Sequence, residues 1–213
     1  MLVVDAWGYA IDHLPEMLLA LQQHLSYVGV ALGVSVLICI PLGIWTARAP
    51  GAATLIINLF NALRVVPSLA ILFLAIPYFG LSFFSAALAL TVLALPPILI
   101  NTDAAFRNLD PAVRESAAGM GMTRKQALFR VEFPLALPVI LTGIRTAAVE
   151  VIASATLAAF IGSGGLGIYI TRGFALYDTS ILLVGAVPVA GLTLLSEGVL
   201  GGLQKLVQPP DQR

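Results

Sequence analysis

The stretch Asp110–Pro134, DPAVRESAAGMGMTRKQALFRVEFP, is the longest charged and polar interruption in an otherwise apolar chain. Five of the eleven Lys and Arg residues lie between Arg107 and Arg130. Lipid does not hold such a segment, so it reads as a cytoplasmic loop between membrane spans that docks on a soluble partner. Its local chemistry predicts two short helices. Asp110 is placed to cap the first, with Pro111 at the first helical position, where the missing N–H costs nothing. Gly119 and Gly121 are expected to end that helix by supplying left-handed backbone. Thr123 starts the second helix, and Gln126 at its third position completes a capping box. Ala127, Leu128 and Val131 leave this helix an apolar side; Arg124, Lys125 and Arg130 give it a basic one. Phe133-Pro134 is expected to end it and open the next span.

The chain has 213 residues, 59% hydrophobic and 10% charged, against about 25% charged in soluble domains. This composition indicates an all-α integral membrane protein forming a single domain, residues 1–213. The formal net charge of zero gives no global basic character to suggest nucleic acid. The single Cys39 sits in an apolar run, which rules out a disulfide framework. His13 and His24 have no carboxylate or thiol at metal spacing and read as interfacial polar residues, so no metal site is expected. Residues 1–20 carry Asp5, Asp12 and Glu16 but no Lys or Arg. They lack the positive start of a signal peptide, so the first span itself is expected to direct insertion.

A crossing helix needs about 20 apolar residues, and five spans are predicted on that basis: Leu25–Ala47, Ala53–Ile76, Leu81–Ile100, Pro134–Ile161 and Thr179–Leu203. Residues 1–24 read as an interfacial segment anchored by Trp7 and Tyr9. Residues 25–203 form the transmembrane core, with the charged loop at 104–134. Residues 204–213 read as a cytoplasmic tail. Basic residues favour the cytoplasmic side. With the charged loop inside, Arg48, Lys205 and Arg213 are inside too, which places the N-terminus out and the C-terminus in. Gly29 and Gly33 form a small-xxx-small pair suited to close helix contact. Asn58, Asn61 and Arg64 are spaced three apart and share a face; an intramembrane Arg faces the bundle interior or snorkels to a headgroup. Pro67 removes one backbone hydrogen bond there. Arg145 and Glu150 are five apart, so a direct helical pair is not expected. Glu150 then has either a neutralising partner elsewhere in the bundle or a place along a pathway.

Gly162-Ser163-Gly164-Gly165-Leu166-Gly167 is a literal GxGxxG. A dinucleotide site would need a strand before it in a soluble βαβ unit, and here a membrane helix precedes it. The glycines read instead as a flexible outer loop or re-entrant turn. No GxxxxGK[ST] phosphate loop and no nucleophile–base constellation is present.

Glu115-Ser116-Ala117-Ala118, Gly121 and Val131-Glu132-Phe133-Pro134 resemble, at matching spacing, the EAA motif of permease subunits of bacterial ABC importers. Ser116 stands where Ala is usual and Phe133 where Leu is usual. The stretches Arg64–Ala70 (RVVPSLA) and Ala155–Gly167 (ATLAAFIGSGGLG) resemble osmoprotectant permeases for glycine betaine, choline, carnitine and related quaternary amines. Methionine-type permeases keep a similar glycine cluster. The resemblance runs over residues 25–203.

It implies a type I ABC importer permease fold with a cytoplasmic coupling helix, multi-pass in the bacterial cytoplasmic (inner) membrane. It implies that Glu115, Ser116, Ala117, Ala118, Gly119, Gly121 and Pro134 meet a cytoplasmic ABC ATPase dimer. ATP and Mg would bind that ATPase, leaving no cofactor in this chain. A second permease subunit (homodimer or related paralogue), an extracellular or periplasmic solute-binding protein and the lipid bilayer complete the implied partners. Candidates for the translocation path are Asn61, Arg64, Pro67, Glu150 and Thr156, with Gly162, Gly164, Gly165 and Gly167 forming the outer glycine loop. On this reading Glu150 meets the cationic head of the substrate. Tyr78, Phe79, Phe83 and Phe84 are aromatic candidates for a quaternary ammonium or members of an interfacial belt. The alternatives are a methionine or other amino-acid permease, and a self-sufficient carrier or channel. No residue set argues for an enzyme.

Overall fold

The computed structural model describes residues 2–208, and these are helical apart from short connections. The expected tail residues beyond 208, Arg213 among them, lie outside the described residues. Helix α1 is Leu2–Asp12 and α2 is Leu14–Arg48. The break falls at His13 because Pro15 lacks an N–H and fits only the first turn of a helix. From there α2 runs for 35 residues, with Pro41 inside it. The helix that carries the first span thus starts at Leu14, and residues 14–24 continue into it without a break. His24 is fully buried there, not interfacial, and its Nε2 donates to the Ile152 carbonyl at 3.0 Å.

The second span departs furthest from expectation. It is two helices, α3 (Pro50–Leu63) and α4 (Ser68–Phe79), bent by 91° at the break between them. Pro67 is extended (φ −59°, ψ 131°). A proline both removes its own N–H and pushes the preceding residue out of helical geometry. The result is a complete break, not one lost bond. At ~1.5 Å per residue neither half crosses a ~30 Å hydrocarbon core alone.

Helix α5 (Phe83–Arg107) runs past the expected end at Ile100. An Asp103–Arg107 pair, one turn apart at 2.7 Å, carries it into the charged loop. That loop holds α6 (Pro111–Gly119) and α7 (Arg124–Ala127). Phe133-Pro134 does not end the second helix. A wide π-turn, Leu128–Glu132, leads without interruption into α8 (Phe133–Ser154). The wide turn supplies the physical reason: it makes room for the Pro134 ring, which would clash with a carbonyl in a regular helix. Beyond α8 the backbone tightens into a 3₁₀ turn, Ala155–Ile161. Helix α9 (Gly167–Leu176) is short, and α10 (Thr179–Val207) starts at a cap where Asp178 Oδ1 accepts from Ser180 N at 2.8 Å.

Four of these elements, α2, α5, the Arg124–Ile161 run and α10, are long and apolar enough to cross a membrane; α3 with α4 makes a fifth, broken span. Helix α5 lies at the centre, packed on α2, α4 and α8, while α10 joins α8 to α9 and α1. The core is rich in alanine: Ala31, Ala94, Ala147 and Ala155 are all fully buried. Small side chains let helices approach, and in lipid close packing is the main attraction between them. A Cβ on Gly43 would sit 2.6 Å from Thr102 Cβ, and one on Gly143 would sit 2.7 Å from the Pro97 carbonyl oxygen. The Gly29/Gly33 pair does not serve this purpose within the chain; nothing lies within 4 Å of either Cβ position. A second cluster, Ala105, Phe106, Ala136 and Ile140 with Phe133 against it, seats the charged loop.

Candidate functional site

The charged loop is ordered by its own side chains. Asp110 Oδ1 accepts from Ala112 N at 2.9 Å and caps α6. At the other end Gly121 N donates to the Ala118 carbonyl at 2.9 Å and Met122 N to the Ala117 carbonyl at 3.1 Å. These two bonds close the helix around Gly121, which takes the left-handed conformation (φ 74°). Gly119 is still helical, so only one of the two glycines turns the chain. The capping box on α7 is complete: Thr123 N donates to Gln126 Oε1 at 2.8 Å and Gln126 N to Thr123 Oγ1 at 3.3 Å. Glu115, Ser116, Ala118, Gly119, Gly121 and Pro134 are exposed, whereas Ala117 is buried as the foot of α6. Met120 and Phe129 add large apolar surface, 68% and 67% exposed. Two short capped helices thus present a mixed apolar and charged face with no neighbour in this chain.

Beneath the loop lies a charged cluster. Glu132, on the π-turn, is only 6% exposed. Its Oε2 accepts from Arg48 Nη2, at the end of α2, at 2.9 Å. Arg114, on α6, donates from Nη2 to the Phe106 carbonyl at 2.7 Å, and its Nε lies 3.8 Å from the same Glu132 oxygen.

Further along α8, Glu150 meets Arg64, which caps α3 at the break in the second span. Their closest approach is 3.5 Å, with the side chains 32% and 49% exposed. Two of the expected pathway residues are therefore brought together. Asn61 and Pro67 flank Arg64 on exposed positions. The Thr156 hydroxyl, in the 3₁₀ turn, donates to the Ala153 carbonyl at the end of α8 at 2.7 Å. Arg145 pairs with Glu197 of α10, beside Gln204, which donates to Thr142 Oγ1 at 3.0 Å.

The glycine loop is tied to α2 by hydrogen bonds. Gly162, Gly164 and Gly165 all have positive φ. Three residues of one short stretch of α2 fasten this end: Gln23 Oε1 accepts from Gly165 N at 3.0 Å, His24 bonds Ile152, and the Tyr27 hydroxyl donates to the Ser163 carbonyl. Gly167 abuts the Thr156 carbonyl so closely that no side chain fits. Phe83 is half-buried and stacked on Tyr27 at 4.9 Å, while Tyr78, Phe79 and Phe84 are exposed. On α9, Arg172 Nη1 donates to the Tyr9 hydroxyl at 3.1 Å, and burial, with Glu16 and Tyr9 nearby, pushes the Tyr169 hydroxyl above its usual range. Among the described residues no three His, Cys, Asp or Glu side chains form a metal-binding group.

A family model described as the binding-protein-dependent transport system inner membrane component matches residues 39–209. The chain belongs to this family. The carnitine transport permease protein OpuCB of Listeria monocytogenes is 44% identical over 196 residues, covering 91% of this chain and 89% of the relative. The choline transport system permease protein OpuBB of Bacillus subtilis is 39% identical over 194 residues, with the same coverage. The osmoprotectant import permease protein OsmW of Salmonella typhimurium is 36% identical over 211 residues, 97% of this chain and 98% of the relative. Among solved structures, a chain of the inward-facing MetNI methionine ABC transporter superposes with a TM-score of 0.83 at 19% identity, covering 93% of this chain and 99% of that one. At that identity the likeness concerns the fold alone. This inner-membrane permease has the all-helical architecture of an ABC importer's membrane subunit.

Two parts of the permease's charged framework carried no role in the sequence reading. Glu132 sits inside the EAA-like stretch but has its partners 18 and 84 positions away, at Arg114 and Arg48. The usable signal was an acidic residue just ahead of an apolar run, with an unmatched Arg48 closing another. Glu197, paired with Arg145, is an acidic residue inside the fifth predicted span, and that position was its signal.

Proposed function

We propose that this permease forms the membrane pathway of an ABC importer for glycine betaine, choline, carnitine or a related quaternary amine. The exposed, doubly capped α6–α7 loop carries the coupling part of the reading. Its Glu115, Ser116, Ala118, Gly119 and Gly121 face outward on a frame rigid enough to transmit a push. A cytoplasmic ATPase dimer, binding ATP and Mg, grips this loop; a solute-binding protein delivers substrate on the other side. The relatives named above, 36–44% identical over nearly the whole chain, support the substrate class. The basic residues support a charged loop inside, with the N-terminus outside.

Arg64 and Glu150 are half-exposed charges on spanning elements, and such groups face a polar cavity or a partner, not lipid. We assign them, with Asn61 and the break at Pro67, to the pathway completed by a second permease, either another copy or a paralogue. Broken helices at membrane depth characteristically line such cavities.

The test is uptake by the reconstituted complex of permease, ATPase and binding protein. Labelled glycine betaine, choline or carnitine is expected to accumulate with ATP, and Glu150→Gln is expected to slow it. Accumulation of methionine alone overturns the substrate class. Transport by the permease reconstituted without any ATPase overturns the coupling role.

A further inference from the structure

We propose that Glu132 is the positioning residue that makes the coupling helix α6 and the loop-proximal ends of α2 and α8 move as one body. The inference rests on the reading of α6 as the helix the ATPase drives. Three elements distant in sequence converge on one carboxylate oxygen: Arg48 from the end of α2, Arg114 from α6, and Glu132 itself from the π-turn that begins α8. A carboxylate this deeply buried must be paired.

The pairing is unequal. Arg48 Nη2 is at hydrogen-bond distance, 2.9 Å, while Arg114 Nε waits at 3.8 Å. That Nε is buried and has no hydrogen-bond partner. Its guanidinium is meanwhile anchored on the Phe106 carbonyl at 2.7 Å, which ties α6 to α5 as well. A shift of roughly 1 Å in α6 would bring Nε to the ~2.9 Å of a charge-assisted bond. Displacing α6 toward α8 therefore strengthens its link to Glu132. Pulling it away leaves two arginines sharing one loosened counter-charge. The π-turn places this junction where a helix carries an extra residue, a feature common at functional sites. By contrast, the neighbouring Asp103–Arg107 pair lies within α5 and joins no second helix through its carboxylate.

The test uses the assembled complex in proteoliposomes, with glycine betaine, choline or carnitine as probe. Glu132→Gln keeps an oxygen for Arg48 and nearly the same shape but removes the charge. ATP hydrolysis is expected to continue, while transport per ATP falls about tenfold, within the 5–150-fold span of typical coupling energies. A second readout does not depend on substrate: spin labels at Ala112→Cys on α6 and Trp45→Cys, an exposed position on the last turn of α2. Their separation is expected to stay constant between nucleotide-free and ATP-trapped states in the parent and to change in the Glu132→Gln background. Unchanged transport per ATP together with a constant separation in that background overturns the proposal. So does a separation that already changes in the parent. A parent complex that hydrolyses ATP but moves none of the three probes is a failure of the substrate reading; the label separation then decides the role of Glu132.

Discussion

The two ends of α8 are built by opposite means. At the charged-loop end the backbone widens into a π-turn, and the joints to other helices are ionic and half-exposed: Arg48 is 42% and Arg114 39% exposed in the side chain. At the glycine end the backbone tightens into a 3₁₀ turn, and the joints are neutral hydrogen bonds from Gln23, His24 and Tyr27. Ionic joints that bind the loop to the ends of α2 and α8 permit this end to be displaced as a unit. Short neutral bonds to backbone carbonyls and amides, around glycines with no room for a side chain, do not. The contrast assigns motion to one end and anchorage to the other.

Substitutions can break that contrast. The largest expected effect is Gly167→Val. Its Cβ would overlap the Thr156 carbonyl oxygen, a backbone atom that cannot swing aside, costing about 3 kcal/mol. Thermal unfolding and size exclusion in detergent should show little folded permease; a stable variant would mean the glycine end is not rigid. Next is Gly121→Trp. Space is open around that Cβ, so the cost is the left-handed backbone, about 2 kcal/mol and confined to the loop. The spans should stay folded while transport per ATP drops by at least about tenfold. Normal transport would remove Gly121 from the docking contact. Tyr27→Phe loses one hydrogen bond to Ser163, about 1 kcal/mol. Amide exchange at 163–165 should quicken about fivefold with transport per ATP unchanged; an uncoupled Tyr27→Phe complex would erase the division between the ends. Smallest is Asp110→Ala, which removes the α6 cap and should cost about 0.5 kcal/mol in so exposed a helix. Faster exchange at Ala112 alone is the expected sign.

What could be read in advance follows the range of each interaction. The caps at Asp110 and Thr123 and the turn at Gly121 were legible because each bond closes within five residues. The family resemblance rested on the same stretch. Arg64 and Glu150 were each legible as costly intramembrane charges, but not as a pair, since 86 positions separate them. His24 looked interfacial because its partner is a main-chain carbonyl, which leaves no mark in the side-chain pattern. The 91° bend was hidden for another reason. Apart from Asn58, Asn61, Arg64 and Ser68 the residues flanking the bend on both sides are apolar, and composition does not record whether a helix is continuous. Pro67 flagged a weakness there without revealing its depth.

The broken second span also bears on how the polypeptide enters the bilayer. Halves of 14 and 12 residues with an arginine between them offer the insertion machinery no segment that would settle in lipid by itself. Their residence must wait until α5 lines their flank and α8 supplies Glu150 as a counter-ion. For this stretch, membrane embedding is thus a product of tertiary assembly, completed only after later parts of the chain have been synthesised.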